Sequence, residues 1–226
     1  QVGLQVSVGR EFGNYGALSV GLRRASGRVE VLVGDPGTPS FDFDSGDVYV
    51  DATVDRVDSL FFPRNGHILR NRYSLSRTAL GADTDFAQFE MDALAARSSG
   101  PHAVQLGLRY HATTSGVAPV QSLFRLGGFS RLVGFSPNQL TGQNYALLLG
   151  GYSYQLGEVF GQRALVGGML EYGNAWQRRS DMDFGDAILN GSIFIGADTW
   201  IGPLMLGVGA REGGHRNVFL IVGETF

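Results

Sequence analysis

The sequence has 226 residues, 43% of them hydrophobic and 17% charged, with a net charge of −3, 34 glycines and no cysteine. The acidic balance and the lack of any polybasic segment exclude a nucleic-acid-binding surface. The missing cysteines exclude disulfides, thiolate metal ligands and a thiol nucleophile. No run of about 18 apolar residues is present, which excludes a transmembrane helix. Glycine at about twice its usual share is unfavourable in helices, so the composition favours an all-β fold.

Hydrophobic and polar residues alternate with a period of two along most of the chain, and no stretch has a convincing period of 3.6. The alternation predicts twelve strands, and turn residues such as Asp35-Pro36-Gly37 separate them. The last predicted strand is divided at Gly213-Gly214, and the pattern is weakest over 116–126. The predicted strands span 1–12, 14–26, 28–35, 46–58, 67–78, 84–97, 101–113, 116–126, 143–157, 161–176, 186–200 and 203–226.

The length and the two faces of these strands indicate a membrane protein. Several strands have ten or more residues, whereas strands of soluble sandwiches often have about five or six, and a tilted transmembrane strand needs about 9–11. One face carries aliphatic and aromatic residues, and the other carries Arg, Asp, Glu and Gly. An apolar outside and a polar inside are typical of outer-membrane barrels. We therefore predict an all-β, antiparallel transmembrane β-barrel in contact with outer-membrane lipid; a soluble barrel or sandwich is the alternative.

Aromatic residues near the predicted strand ends favour the same interpretation. Outer-membrane barrels carry aromatic girdles at both membrane interfaces. Each residue taken singly could equally be an ordinary core or surface aromatic. The candidates are Phe61, Phe62, Tyr152, Tyr154, Tyr172, Trp176 and Trp200.

The predicted hairpin around Gly81 brings opposite charges together on the polar face. If that turn is central, residues whose numbers sum to 162 face each other, so Arg72 meets Glu90 and Arg70 meets Asp92. Opposite charges directly across a sheet attract each other. We expect a structural ladder in which each pair contributes under about 1 kcal/mol. An ion-selective lining is the alternative, and it requires an open pore.

Motifs for catalysis or metal binding are weak. The acidic run Asp42, Asp44 and Asp47 lacks the spacing and the glutamate of a calcium loop, and the nearest match to a hydrolase elbow, 17–21, lies inside a predicted strand. The four histidines have no ligand spacing. We therefore predict no catalytic residue, no metal and no cofactor. The enzymatic alternative is an outer-membrane phospholipase with a catalytic serine and histidine on the barrel wall. Its candidate residues are Ser98, Ser99 and His102.

One segment lacks the alternation of the strands. Its residues predict a loop that packs into another part of the molecule. Residues 123–135 read Leu-Phe-Arg-Leu-Gly-Gly-Phe-Ser-Arg-Leu-Val-Gly-Phe. They resemble the inward-folding loop of the BamA-type outer-membrane barrel superfamily, in which an aliphatic residue precedes Arg-Gly-Phe or Arg-Gly-Tyr after a Gly-Gly pair. Val133 stands where the arginine is expected. The segment is more similar to the Leu-Gly-Gly-Phe-x-Arg-Leu-Ser-Gly motif of the patatin-like branch (type V d secretion proteins), through Leu126, Gly127, Gly128, Phe129, Arg131, Leu132 and Gly134.

The resemblance implies that this segment, including Phe135, lies inside the barrel lumen and that Arg131 replaces the missing loop arginine. A cation enclosed in the lumen requires a carboxylate. We expect Glu171 to be that partner, with Asp198 as the second candidate.

Three further regions resemble the same family. Residues 58–66 resemble an Asp-x-x-x-Phe-Pro-x-x-Gly turn that forms a tight periplasmic bend, and residues 171–176 resemble a Glu-x-Gly-Asn-x-Trp strand. Residues 220–226 are similar to the terminal strand, which ends in an aromatic and is read by the outer-membrane assembly machinery. Glu224 interrupts its lipid-facing row. The residues of that row are Leu220, Val222 and Phe226.

The family barrel has sixteen strands, five of them after the loop. Without the weak segment 116–126, and with 203–226 counted as two strands, this sequence has five predicted strands after Phe135 but seven before it in place of eleven. The resemblance therefore implies that 1–226 is one domain, the C-terminal part of a barrel, without its first four strands, its periplasmic POTRA module or its lipase domain. The open edges would be closed by the missing strands or by a partner chain, such as a second copy.

The function implied is that of an anchor and translocator in the Gram-negative outer membrane for an N-terminal patatin-like phospholipase. Its Ser-Asp dyad would lie outside these residues, so the chain itself is expected not to be an enzyme. The alternative is a self-contained twelve-stranded barrel, either the translocator of an autotransporter or the outer-membrane phospholipase considered above.

Overall fold

A computed structural model describes residues 2–29, 40–159, 162–200 and 202–223. Within these ranges, regular structure consists of thirteen strands and four single-turn 3₁₀ helices, and no helix is long and apolar enough to span a bilayer. The strands are β1 Val2–Phe12, β2 Gly16–Val29, β3 Phe41–Asp55, β4 Gly66–Ser76, β5 Phe86–Ser99, β6 His102–Gly116, β7 Phe124–Leu126, β8 Leu140–Gly142, β9 Asn144–Val159, β10 Gln162–Trp176, β11 Ile188–Thr199, β12 Gly202–Arg211 and β13 Arg216–Val222.

Eleven of these strands form one antiparallel sheet, in which each strand pairs with its sequence neighbours except that β6 pairs with β9. The short strands β7 and β8 pair only with each other. The predicted all-β, antiparallel architecture is therefore confirmed. The two edges of the sheet are β1 and β13, and the described residues contain no pairing between them.

Two of the predicted strands differ from the structure. The strand predicted at 28–35 begins inside β2, which ends at Val29, and its residues from 30 onward lie outside the described ranges. The strand predicted at 116–126 is not part of the wall. Gly116 has a positive φ of 69° and Pro119 cannot donate a ladder hydrogen bond, so the chain leaves the sheet there.

The alternation of the two faces follows the sequence pattern closely. On β12, Leu206 and Val208 are exposed while Gly207 and Gly209 are buried. On β13, Val218 and Leu220 are 77% and 65% exposed. A contiguous apolar surface of this kind would promote aggregation of a water-soluble protein, whereas in a bilayer it contacts lipid.

On the inner face, the described residues form an apolar core on the side of β9–β13. This core joins residues of the 117–143 segment to side chains of four wall strands. Its buried members are Leu126, Leu132, Phe135, Tyr145, Leu147, Leu149, Met169, Phe194 and Met205. The opposite side, β2–β6, presents charged residues to the same space.

The connections differ in length at the two ends of the sheet. At one end β1 and β2 are joined by 13–15 and β5 and β6 by 100–101, whereas at the other end the connections include 77–85, 117–143 and 177–187. Outer-membrane barrels have short periplasmic turns and longer extracellular loops. We therefore assign 117–143 to the extracellular end. The connection 56–65 is an exception, a long connection at the periplasmic end.

Candidate functional site

The 117–143 segment folds back onto the inner face of the sheet. After the 3₁₀ turn Val120–Ser122, strands β7 and β8 pair with each other, so the segment is itself a hairpin. Its tip, 127–135, corresponds to the part that the sequence predicted to lie inside the lumen. Leu132 is fully buried and Phe135 is 4% exposed.

The backbone of the tip is tightly wound. Gly127 and Gly128 have φ values of 126° and 94°, and the non-glycine residues Ser130 and Leu132 have 58° and 73°. A non-glycine residue in this region costs about 1–3 kcal/mol and persists only where the surroundings fix it. At Gly127 a Cβ atom would collide with the carbonyl oxygen of Ser136, which explains why the first residue of the Gly-Gly pair is glycine.

Three wall strands hold the tip through hydrogen bonds to its backbone. The Val133 N–H donates to Oε2 of Glu171 on β10 at 2.5 Å, and the Gly134 N–H donates to Oδ1 of Asn190 on β11 at 2.9 Å. Nδ2 of Asn217 on β13 donates to the Val133 carbonyl at 2.9 Å. Glu171 and Asn190 are each 1% exposed. The tip is therefore bound by buried polar groups, whose loss would leave backbone groups unpaired.

The ion pair predicted between Arg131 and Glu171 is wrong. The carboxylate of Glu171 accepts a backbone N–H, whereas Arg131 is exposed and lines a cavity on the side of β4–β6. The positive φ of Leu132 turns the chain between these residues, so the Arg131 side chain and the Val133 amide face different walls. The second candidate, Asp198, lies 3.7 Å from Arg163.

The structure also explains the valine at the position where the resemblance led us to expect arginine. The Val133 side chain packs directly over β12, where a Cβ on Gly209 would lie 2.5 Å from Cγ2 of Val133. Nearby, the guanidinium of Arg211 lies 3.8 Å from the centre of the Phe135 ring, a cation–π contact. The Phe129 ring packs edge-on against that of Phe194, at 5.5 Å between centroids.

The charged residues of β3–β6 form two rows across the inner face. The hairpin register is as predicted, with Arg72 opposite Glu90 and Arg70 opposite Asp92. Both rows continue onto the next strands. One row is Asp51, Arg72, Glu90 and His111, and the other is Thr53, Arg70, Asp92 and Arg109.

The ion pairs within these rows are not the predicted ones. Arg72 donates to both carboxylate oxygens of Asp51 on β3, at 2.6 and 2.8 Å, and does not pair with Glu90. Asp92 lies 3.2 Å from His111 and 3.8 Å from Arg109 on β6, and does not pair with Arg70. Each residue has neighbours on two strands, and the prediction considered only the strands of one hairpin.

We expect a double-mutant cycle to separate the two possible partners of Arg72. Asp51→Ala and Arg72→Ala should show a coupling free energy of under about 1 kcal/mol. The coupling is small because both side chains are partly exposed to solvent, Arg72 to 37% and Asp51 to 30%. The coupling of Arg72→Ala with Glu90→Ala should be smaller still. Denaturant unfolding of the wild type, the three single variants and the two double variants measures both couplings. Equal couplings would contradict the assignment.

The tight periplasmic bend predicted at 58–66 is part of a longer connection, 56–65, which reaches across the lumen. Asp58 accepts the Arg64 backbone N–H at 2.8 Å, and Gly66 closes the segment with a φ of 104°. Phe62 reaches β11, where a Cβ on Gly196 would lie 2.8 Å from its ring. The Gln105 side chain donates to the Pro63 carbonyl at 2.8 Å. The 56–65 connection therefore enters the lumen from one end, and the 117–143 segment enters it from the other.

The fold of this connection should depend on pH through Asp58. Burial raises the pKa of this carboxyl, but the hydrogen bonds from Arg64 and Asn65 outweigh burial and lower the pKa below its ordinary value. Because the folded-state pKa is depressed, the stabilisation is present above the unfolded-state pKa and is lost as the pH falls through the folded-state pKa. Hydrogen exchange at the Arg64 amide should accelerate relative to its intrinsic rate below about pH 4. The same pH dependence in Asp58→Asn would contradict this role.

The other predicted residues lie in several places. Tyr152, Tyr154 and Trp200 are exposed, whereas Trp176 is 7% exposed and Phe62 faces the lumen, so these last two do not belong to a girdle. Of the terminal row, Leu220 and Val222 are exposed on the outer face, and Phe226 lies outside the described residues.

The residues of the enzymatic alternative do not form a catalytic pair. The Ser98 hydroxyl donates to Asn65, and Nδ1 of His102 lies 2.7 Å from the Tyr152 hydroxyl. In the described part of the chain, no group of three or more His, Cys, Asp or Glu residues could hold a metal ion.

Several residues of the site were missed by the sequence reasoning. Asn190, Asn217 and Arg109 hold the tip, the last through Ser130 at 3.2 Å. All three lie at inward positions of their strands. A polar residue on the polar face of a strand carries no further signal, so only the three-dimensional arrangement identifies them.

Comparisons with known proteins agree with this geometry. The family model of the Omp85 superfamily domain matches residues 1–200 of the sequence. No curated protein gives a significant match. BamA from Haemophilus ducreyi, solved without POTRA domains 1–3, is similar in structure with a TM-score of 0.79 at 12% identity. The match covers 96% of this chain and 52% of that one, so the chain spans about half of that structure. The chain belongs to the Omp85 superfamily and is a β-barrel protein of the Gram-negative outer membrane.

Proposed function

We propose that this chain is the membrane-embedded part of an outer-membrane translocator, which anchors the protein and governs the passage of an N-terminal part outside these 226 residues. The observation that carries this proposal is the inward-folded tip, held across the lumen by Glu171, Asn190 and Asn217. A segment fixed in this position controls access to the lumen from the extracellular end. Its attachment to three strands makes it part of the barrel rather than a free surface loop.

The N-terminal part is proposed to be a patatin-like phospholipase. The support is the motif over 126–134, which resembles the patatin-like branch through Arg131 and its neighbours, with Val133 in place of the serine of that motif. The same resemblance suggests that the outer-membrane assembly machinery recognises the terminal strand. The exposed side chains Leu220 and Val222 agree with that proposal.

The two unpaired edges of the sheet, β1 and β13, favour a barrel that further strands complete. Every residue of β1 is exposed, and unpaired backbone groups cost several kcal/mol each in a bilayer. We propose that β1 pairs either with strands of the same protein that precede it or with a second copy of the chain. A self-contained barrel would require β1 to pair with β13, and the described residues show no such pairing.

The test uses the complete protein, expressed in a Gram-negative host. Wild type and a variant without residues 127–135 are compared for heat-modifiable gel mobility and for protease accessibility of the N-terminal part on intact cells. A variant lacking the exposed residues 177–180 of the 177–187 connection is the matched control. We expect only the loss of 127–135 to abolish surface exposure. Glu171→Ala, which removes the acceptor of the Val133 N–H, provides the same comparison if the deletion prevents folding.

Two results would overturn parts of this proposal. If the N-terminal part remains surface-exposed although the tip is absent and the barrel is folded, the tip does not govern passage. If the complete protein does not hydrolyse phospholipid, the patatin-like assignment is wrong, while the anchoring role remains.

A further inference from the structure

A small cavity lies on the inner face between the tip of the 117–143 segment and the 56–65 connection. Its volume is about 240 Å³. The charged residues that line it are Arg70 on β4, Asp92 on β5, Arg109 on β6 and Arg131 in the tip. It therefore brings together both lumenal segments and three strands of the wall.

The charges around this cavity are not balanced. Three guanidinium groups face it, but only one carboxylate does, and Asp92 lies closer to His111, at 3.2 Å, than to Arg109, at 3.8 Å. Among the described residues, the side chains of Arg70 and Arg131 make no hydrogen bond or ion pair. The Arg109 side chain, only 10% exposed, has Ser130 as its one hydrogen-bond acceptor there. Arg70 and Arg131 are exposed to the lumen, whereas Arg109 is buried. The three like charges repel one another, and the one carboxylate that faces the cavity does not balance them.

The remainder of the cavity is largely apolar. Leu60, Ile68, Leu94 and Leu149 line it together with Val57 and Pro63. A ligand that fills it would place an apolar body against these side chains and an anionic group among the arginines. Arginine presents a planar fork of donors that matches a carboxylate or a phosphate.

We propose that this cavity binds a small organic anion, a carboxylate or phosphate on a short apolar body, that reaches it through the lumen. Because Arg131 belongs to the tip and Arg70 and Arg109 to the wall, the bound anion links the two. Binding to the docked arrangement stabilises that arrangement by mass action. The ligand thus strengthens the attachment of the inward-folded segment.

The complete protein, purified in detergent, is titrated calorimetrically with hexanoate, and inorganic phosphate and hexylammonium serve as comparison ligands. Hexanoate should bind saturably and raise the unfolding temperature, phosphate should bind more weakly, and hexylammonium should not bind. Arg70→Gln, which removes no hydrogen bond of the described structure, should weaken hexanoate binding about tenfold or more. Arg97→Gln is the matched control, since Arg97 lies exposed on β5 outside the cavity.

Ile68→Phe provides a second variant, which fills the apolar end and should also weaken binding. No saturable binding of hexanoate, or equal affinity in Arg70→Gln and wild type, would overturn the proposal. Binding of phosphate without binding of hexanoate would overturn the organic class of the ligand. Equal binding of hexylammonium would show that the arginines do not select the charge.

Discussion

Glu171→Ala is expected to undock the inward-folded tip and to lower the free energy of unfolding by about 3–5 kcal/mol. The Glu171 side chain is 1% exposed and accepts the Val133 N–H at 2.5 Å. Alanine cannot replace that acceptor and leaves a cavity beside the buried Leu132. A buried backbone N–H without a partner costs about 1–3 kcal/mol by itself. The effect should therefore exceed that of any exposed carboxylate in the chain.

The measurement is denaturant unfolding in detergent, followed by gel mobility, with proteolysis of the tip as a second readout. Glu171→Gln keeps an oxygen that can accept the Val133 N–H and should retain most of the stability. Glu158→Ala, which removes an exposed carboxylate at the end of β9, is the control. Wild-type stability in Glu171→Ala would show that this carboxylate does not hold the tip.

Gly134→Val is expected to release the same tip by steric exclusion, with a loss of about 3 kcal/mol. A Cβ on Gly134 would lie 2.6 Å from Oδ1 of Asn190 and closer still to the Cβ of Arg211. The backbone would have to move, and its hydrogen bond to Asn190 would be lost. Protease cleavage within 127–135 should then be faster than in wild type.

Gly150→Val is the matched control for this substitution. Gly150 lies in the outward row of β9 between the exposed Leu148 and Tyr152, and no atom beyond its chain neighbours lies within 4 Å of the position of its Cβ. It should leave the tip protected. Equal protection of the tip in Gly134→Val and Gly150→Val would contradict the close packing that we assign to Gly134.

The wall of this barrel could be predicted from the sequence because its two faces differ so clearly. Leu206 and Val208 alternate with Gly207 and Gly209, and this local pattern fixes which side chains contact lipid. The strand predicted at 116–126 was wrong although its breaker, Pro119, was visible in the sequence. With Pro119 three residues ahead and a positive φ at Gly116, β6 ends at Gly116 and the chain leaves the sheet.

The contacts of the site could be predicted only in part. The register of Arg72 with Glu90 depends on one hairpin and was correct, but the choice of Asp51 as the ion-pair partner depends on a third strand. The glycine pair marked the inward-folded tip. The positive φ of Leu132 gave no sequence signal, and it is this dihedral angle that separates Arg131 from Glu171.

The lipid-facing outer surface is tested most directly by cysteine labelling, since the 226 residues contain no cysteine of their own. Leu206 belongs to the outer apolar row of β12, and Ser180 is exposed in the connection 177–187 at the extracellular end. Each is replaced by cysteine in a separate variant. A membrane-impermeant maleimide added to intact cells should label Ser180→Cys and should not label Leu206→Cys until the membrane is dissolved and the protein unfolded. Labelling of Leu206→Cys as fast as Ser180→Cys in intact cells would contradict a barrel whose outer face lies in lipid.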